Sequence, residues 1–155
     1  MLNISVFEFI VRILPEALVF IFATYTFSNI KIDKKKYLLA SVILGCCVFI
    51  IRKLPINYGV HTILNIFTLP IICTSINKIS IVEATKSSII TTILLFVLEG
   101  VNVFFLSLIF KDSLTQVMSN PTLKTIYGLP SLAVLAIIVI GYYNYLGKKE
   151  KLNYV

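Results

Sequence analysis

Continuous apolar runs, separated by short polar segments, make up most of the chain. Each run is apolar at successive positions rather than at every second one, which predicts membrane-spanning helices and excludes the alternating strands of a membrane barrel. The pattern therefore predicts a single all-α integral membrane domain over residues 1–155, with about five transmembrane helices. The predicted spans are residues 4–29, 37–54, 58–76, 81–110 and 129–146, and residues 111–127 form an external loop.

Proline and capping residues refine the shape and ends of these helices. Pro15 lies inside the first run, where its missing N–H predicts a kink. Ser80, followed three residues later by Glu83, has the pattern of a capping box and predicts a helix start near Ile81. Pro121 is expected to stop any helix that forms in the polar segment before the last span.

Composition favours lipid over water as the surroundings of this chain. Hydrophobic residues make up 58% and charged residues 14% of the sequence, whereas soluble domains carry about 45–50% and about 25%. A soluble fold of this size would lack the polar surface to cover its core. The lipid bilayer is therefore the expected partner, and the cell membrane the expected location.

The formal net charge of +7 does not indicate nucleic-acid binding, because the cations lie at the ends of apolar runs and not along one polar stripe. Nine lysines fall in the first loop, the third connection and the C-terminal tail, whereas the segments on the other side carry four cations. Cytosolic loops are the ones enriched in Lys and Arg. The sequence thus predicts an external N-terminus and a cytosolic C-terminus.

Three charged residues of the first run form the strongest constellation. Glu8, Arg12 and Glu16 are spaced by four residues, which places them on one helix face. Charges inside a span are costly, so they are expected to pair and to face protein or water. Two interpretations stay open: a salt-bridge ladder within the helix, or a polar pocket for a charged ligand that a further cation such as Arg52 would complete.

Glu99 is the second candidate, because it lies among Leu, Phe and Val near the middle of the fourth run, with Asn102 three residues on. An unpaired carboxylate in hydrocarbon is expected to be protonated, since its charge is poorly solvated there. Such a group either hydrogen-bonds a neighbouring helix as a packing contact or serves a proton relay or a ligand. Glu8, Asn65, Glu99 and Asn102 together form a predicted intramembrane polar cluster.

A third group follows the second run and includes Arg52, His61 and Asn65. His61 and Asn65 are four residues apart and therefore neighbours on a helix. In the predicted topology Arg52 and His61 share the external half of the bundle with Arg12 and Glu16. These four residues are the predicted ligand-binding set, and paired arginines suit a carboxylate or phosphate group. A polar plug that only holds three helices together is the alternative.

Catalytic and metal-binding patterns are missing from the sequence. It contains no Ser-x-x-Lys, Gly-x-Ser-x-Gly or His-Glu-x-x-His motif and no glycine-rich phosphate loop. Cys46, Cys47 and Cys73 lie in apolar runs without the spacing of a metal site or a disulfide framework. We therefore expect no enzymatic activity, no catalytic residue, no metal and no cofactor.

Three segments, 14–17 (LPEA), 51–55 (IRKLP) and 58–63 (YGVHTI), resemble small multi-span membrane proteins of Gram-positive anaerobes. They are also similar to the membrane input domains of Firmicute sensor histidine kinases of the peptide-pheromone type. The resemblance implies signal reception through membrane helices. The 155 residues contain no phosphoacceptor helix and no ATP-binding domain, so such a module would act through a partner or belong to a longer chain.

The sequence thus favours a non-enzymatic membrane sensor or regulatory module that acts through a partner membrane or cytosolic signalling protein. Its ligand would be a small anionic molecule or a peptide. A small transporter or transporter subunit is the main alternative, because Glu99 and two prolines, Pro15 and Pro70, lie within spans. A structural subunit of a membrane complex is the third.

Overall fold

The structure, a computed structural model, describes residues 8–54, 58–110 and 119–153. It is built from helices, and within these ranges it has no strand, only one isolated bridge between Ile30 and Asn153. The predicted all-α class is confirmed. The helices are α1 (Phe9–Phe27), α2 (Lys34–Lys53), α3 (Tyr58–Asn77), α4 (Ile81–Phe110) and α5 (Pro121–Lys148).

Among the described residues, four helices are long and apolar enough to cross a membrane, namely α1, α3, α4 and α5. The exception is α2, although it has the same 20-residue length as α3. Lysines occupy its first three positions, and Arg52 and Lys53 occupy its last two, so its apolar centre is short. The structure therefore supports a helical membrane protein, with four spans by length and composition.

The first helix does not begin as a regular α-helix. Residues Phe9–Ile13 form a π-helical turn, in which the N–H of Leu14 donates to the carbonyl of Phe9, five residues earlier. A regular α-helix, Leu14–Phe27, continues without a break from there, and Pro15 lies in its first turn. A proline is tolerated in that position because the N–H it lacks would be unpaired there anyway. The irregularity that the sequence predicts at Pro15 is thus a wider turn just before it.

Capping explains where α2 and α4 begin. The carboxylate of Asp33 accepts hydrogen bonds from the backbone N–H of Lys35 and Lys36, at 3.1 and 3.5 Å, so α2 includes lysines that the sequence analysis assigned to a loop. The cap predicted for α4 is confirmed, since the N–H of Glu83 donates to Ser80 Oγ at 3.3 Å. Both caps lie at the same end of the bundle.

Pro121 begins a helix, a role that the expectation of a helix stop did not include. Asn120 caps α5 by accepting from the N–H of Thr122 at 3.1 Å, and Pro121 is the first residue of the helix. The helix therefore begins before residue 129, and the end of the predicted loop 111–127 is helical. The first part of that loop, residues 111–118, lies outside the described residues.

α1 is the central helix of the bundle. It packs against α2, α4 and α5 and, less closely, against α3, while α2, α3, α4 and α5 follow one another around it. The larger core cluster joins residues of α1, α2 and α3, among them Ile13, Ile21, Leu44 and Leu69. Large apolar side chains on the outer faces stay exposed, as expected where lipid covers them.

The C-terminal tail and the α1–α2 loop meet at one end of the bundle, which we call the lysine-rich end. There the tail pairs with the α1–α2 loop, since the N–H of Lys31 donates to the carbonyl of Asn153, and the N–H of Asn153 donates to that of Asn29, both at 2.8 Å. Ser28 and Ser87 link α1 to α4 at 3.3 Å nearby. The first loop and the tail, predicted to lie on the same side of the membrane, are thus in contact.

Candidate functional site

A cavity of about 450 Å³ lies inside the bundle, toward the end opposite to the lysine-rich one. All five helices contribute to its wall, so it lies between the helices of the bundle. Apolar side chains such as Ile13, Leu44 and Leu95 form part of the wall. The rest is polar and includes Glu8, Arg12, Glu16, Arg52, His61, Thr62, Asn65, Thr92, Glu99, Ser119, Lys124 and Thr125.

An ion pair joins α1 and α4 at this cavity. Arg12 Nη2 donates to Glu99 Oε1 at 2.8 Å, and the two side chains are 20% and 32% exposed. The expectation of an unpaired Glu99 is therefore wrong, because a cation from another helix lies against it. A charge-assisted hydrogen bond of this length favours the ionised form of both groups.

A second ion pair joins α2 to α1. Arg52 Nη2 donates to Glu16 Oε2 at 2.8 Å, while Arg52 Nη1 lies 3.9 Å from Glu8 Oε1. The three side chains are between 17% and 21% exposed. Arg52 thus completes the acidic face of α1, as the sequence analysis anticipated for this residue.

The salt-bridge ladder considered for Glu8, Arg12 and Glu16 is replaced by these pairs between helices. The physical reason is twofold. The π turn at Phe9–Ile13 changes the side-chain spacing between Glu8 and Arg12, so a distance of four residues no longer stacks them as it would in an α-helix. Neighbouring helices then offer partners at 2.8 Å.

Because Gly128 of α5 has no side chain, it leaves room for the Arg12 guanidinium. A methyl group at this position would lie 2.9 Å from Arg12 Nη1 and 3.3 Å from its central carbon Cζ. Nearby, Asn102 Nδ2 donates to the carbonyl of Tyr127 at 2.6 Å, which links α4 to α5. Asn102 therefore holds the two helices together beside the cavity, whereas Glu99, one turn away, faces it.

His61 and Asn65 contribute polar groups from α3. His61 is 6% exposed, and both residues line the cavity. The buried Oδ1 of Asn65 has no hydrogen-bond partner among the residues that the structure describes. The Asn65 oxygen is therefore an available hydrogen-bond acceptor in a cavity whose wall carries several charged side chains.

The structure places the predicted residues together to a large extent. Arg12, Glu16, Arg52 and His61 all line the one cavity, as do Glu8, Asn65 and Glu99. Lys124, Ser119 and three threonines, Thr62, Thr92 and Thr125, were not predicted. Lys124 was assigned to a loop because the start of α5 was placed too late, and a threonine in an apolar run gives no distinct signal.

The cavity is close to electrically neutral. Three acids line it, Glu8, Glu16 and Glu99, and so do three permanent or strong bases, Arg12, Arg52 and Lys124. Each of the two short ion pairs joins an acid of one helix to a base of another. Chemically, such a wall offers both guanidinium donors for an anionic group and carboxylate acceptors for a cationic one.

No protein-family model, curated protein or solved structure matches this chain.

Proposed function

We propose that this chain is a non-enzymatic membrane receptor or regulatory module, which binds a small charged ligand in the central cavity and acts through a partner protein. One observation carries the proposal: charged residues of both signs, including Arg12, Glu16 and Arg52, line a single cavity of about 450 Å³ in the bundle together with His61. Cavities of roughly 300–1,000 Å³ are typical of small-ligand sites.

The charge balance of the cavity defines the class of ligand. A purely anionic ligand would have to compete with Glu16 and Glu99 for arginines that they already hold at 2.8 Å. A zwitterion, such as an amino acid or the terminus of a short peptide, exchanges partners instead. Its carboxylate takes guanidinium donors while its ammonium group takes the released carboxylates, so the site stays neutral. This favours a zwitterionic ligand over a simple anion.

The topology that we propose has five spans, with α2 as the fifth. Its terminal cations would reach the two interfaces with their long side chains, and its outer face is apolar, with Leu38, Leu39 and Ile50 exposed. Five spans put the N-terminus outside and the lysine-rich end in the cytosol. The cavity would then lie in the external half, where a ligand from outside the cell can enter.

A receptor without enzymatic activity has to transmit the binding of its ligand to another protein, so the proposal requires a partner. α4 is the helix best suited to that contact. It has 30 residues, and only 11% of its most apolar stretch of 18 residues is buried within the bundle. Phe104, Phe105 and Ile109 are among its exposed side chains. Because α4 also carries Glu99, a change in the cavity would reach this face directly.

The experiment is a thermal-stability screen of the full chain in detergent. The compounds are zwitterions (single amino acids and dipeptides) and, as matched anions, acetate and inorganic phosphate. We expect zwitterions to raise the melting temperature of the wild type more than the anions do. Arg52→Lys keeps the positive charge but loses the bidentate guanidinium donor, so it should abolish the ligand-induced rise in melting temperature. Lys53→Arg, the conservative change at the next position and outside the cavity wall, should preserve it.

An absence of stabilisation by every zwitterion, or equal shifts in wild type and Arg52→Lys, would remove the basis for a ligand site. His61→Gln distinguishes a site from a plug in the same assay. It should leave the melting temperature without ligand nearly unchanged and reduce the shift with ligand. Loss of the fold in His61→Gln would favour the plug.

A transporter is the second candidate, and a specific observation favours it. The Arg12–Glu99 pair joins two spans next to the π turn at Phe9–Ile13, and irregular helices with charges at their breaks are typical of transport proteins. Reconstituted liposomes separate the two functions. Accumulation of a zwitterion that stabilises the protein would establish transport, whereas binding without flux would leave the receptor.

A further inference from the structure

A second, smaller cavity lies at the lysine-rich end of the bundle. Its volume is about 240 Å³, and it is enclosed by the last turn of α1, the α1–α2 loop, the first turn of α2 and the end of α3. The lining residues are Tyr25, Ile30, Lys31, Ile32, Asp33, Lys36 and Asn77. None of these belongs to the wall of the central cavity.

Two buried side chains of the second cavity have polar atoms without a hydrogen-bond partner among the described residues. Tyr25 and Asn77 are each 1% exposed. The phenol oxygen of Tyr25 and both amide atoms of Asn77 have no hydrogen-bond partner among the described residues. The thiol of Cys73, a weak hydrogen-bonding group, lies beside the Asn77 amide. Buried polar groups are normally paired, so a ligand that accepts from them fits here.

The charges around the second cavity favour an anion. Lys31 and Lys36 line it together with one acid, Asp33. The Asp33 carboxylate is already engaged, because it accepts from two backbone N–H groups of α2 and lies 3.6 Å from Lys36 Nζ. The N-terminus of α2 adds partial positive charge at the same place. The cavity therefore combines two lysines and a helix N-terminus with a phenol and an amide donor.

We infer that the second cavity is a binding site for a phosphate group, supplied by an anionic lipid headgroup or by free phosphate. Lys31 and Lys36 neutralise the phosphate, while the Tyr25 hydroxyl and the Asn77 amide donate to its oxygens. The position agrees with this chemistry, since the ends of α1 and α3 bring the cavity to the polar boundary of the apolar bundle. The inference does not depend on the ligand of the central cavity.

The test uses the purified full chain in detergent, with two sources of phosphate. Native mass spectrometry measures retained phosphatidylglycerol against phosphatidylcholine, and a melting curve measures the effect of inorganic phosphate against chloride at equal ionic strength. Preferential retention of phosphatidylglycerol would identify a lipid headgroup as the source, and stabilisation by phosphate without lipid preference would identify the free ion. Equal binding of both lipids together with no phosphate effect would overturn the inference.

Matched variants separate a built site from general attraction to lysines. Lys31→Gln/Lys36→Gln should weaken binding about tenfold or more, since a lysine near an anionic headgroup contributes about a factor of five. Lys34→Gln/Lys35→Gln removes the same charge from exposed neighbours outside the cavity and should have a much smaller effect. Equal losses in the two variants would show a diffuse basic surface and refute the site.

Tyr25→Phe gives the sharpest readout because it removes only the hydroxyl. Without phosphate or anionic lipid, the variant should melt at the wild-type temperature or slightly above, since no hydrogen bond is lost. Its binding of the phosphate group should still fall severalfold. If Tyr25→Phe binds as tightly as the wild type, the hydroxyl does not contact the ligand and the proposed geometry is wrong.

Discussion

Removing the cation of the Arg12–Glu99 pair is expected to destabilise the bundle more than neutralising the acid. The two groups are in contact at 2.8 Å, with side chains 20% and 32% exposed. Arg12→Met keeps an unbranched apolar stem but leaves Glu99 without its cation in a site that also contains Glu16. Glu99→Gln keeps an oxygen that accepts the same hydrogen bond from Arg12.

The separation of the charges sets the expected magnitude. Two unit charges about 4 Å apart attract one another by about 4 kcal/mol at an effective dielectric constant of about 20. Desolvation and partial exposure offset much of this attraction, so we expect a coupling free energy of about 1–3 kcal/mol. Arg12→Met alone should cost about 2–4 kcal/mol, because it also leaves a carboxylate uncompensated, and Glu99→Gln about 1 kcal/mol.

The assay is reversible unfolding in mixed micelles, with the free energy of unfolding measured for wild type, both single variants and the double variant. Glu8→Ala is a useful comparison, since Glu8 lies 3.9 Å from Arg52, which keeps its closer contact with Glu16. It should cost less than Arg12→Met. A coupling within about 0.5 kcal/mol of zero would mean that the Arg12 and Glu99 charges are separately hydrated, and the reasoning would fail.

Two further predictions follow from the packing and from the proposed topology. Gly128→Ala should displace the Arg12 guanidinium, because the added methyl group would lie 2.9 Å from it, and should lower the free energy of unfolding by about 1–3 kcal/mol. The control Gly100→Ala meets nothing within 4 Å and should be neutral or stabilising. Equal effects of the two variants on stability would contradict the Gly128–Arg12 contact. In a variant lacking the three native cysteines, an impermeant thiol reagent applied to intact cells should label Lys53→Cys but not Lys34→Cys. The reverse pattern would invert the topology.

The helices were predictable where a long apolar run coincides with a clear cap. α4, for example, has the bounds 81–110 that its apolar run and Ser80 indicate. The start of α5 was missed because a proline has two opposite meanings. Inside a helix it removes a hydrogen bond, but at the first position it costs nothing, and here Asn120 before it supplies the cap. Asn120 was the signal that could have located this start.

The composition of the site was predictable in large part, but its pairing was not. Spacing along one helix places Glu8, Arg12 and Glu16 on a common face, and it cannot reveal that α2 and α4 supply closer partners. Lys124 was missed for a related reason, since it enters the wall only because α5 extends beyond the apolar run. The π turn also has no distinct sequence signature apart from the proline that follows it.

The charges nevertheless contain more information about the fold than their helix positions alone. In hydrocarbon an ionised group without a partner is costly, so an intramembrane acid that stays ionised requires a base from some helix. Glu99 has no base on its own helix within one turn, and the only arginine inside an apolar run is Arg12. This requirement alone brings α4 against α1, and the excess acid of α1 likewise calls for Arg52 from α2. Both contacts are present at 2.8 Å, and together they place α1 between α2 and α4, which is the central position that the packing gives it. Charge pairing across spans therefore predicts helix neighbours in a chain whose apolar faces are too uniform to do so.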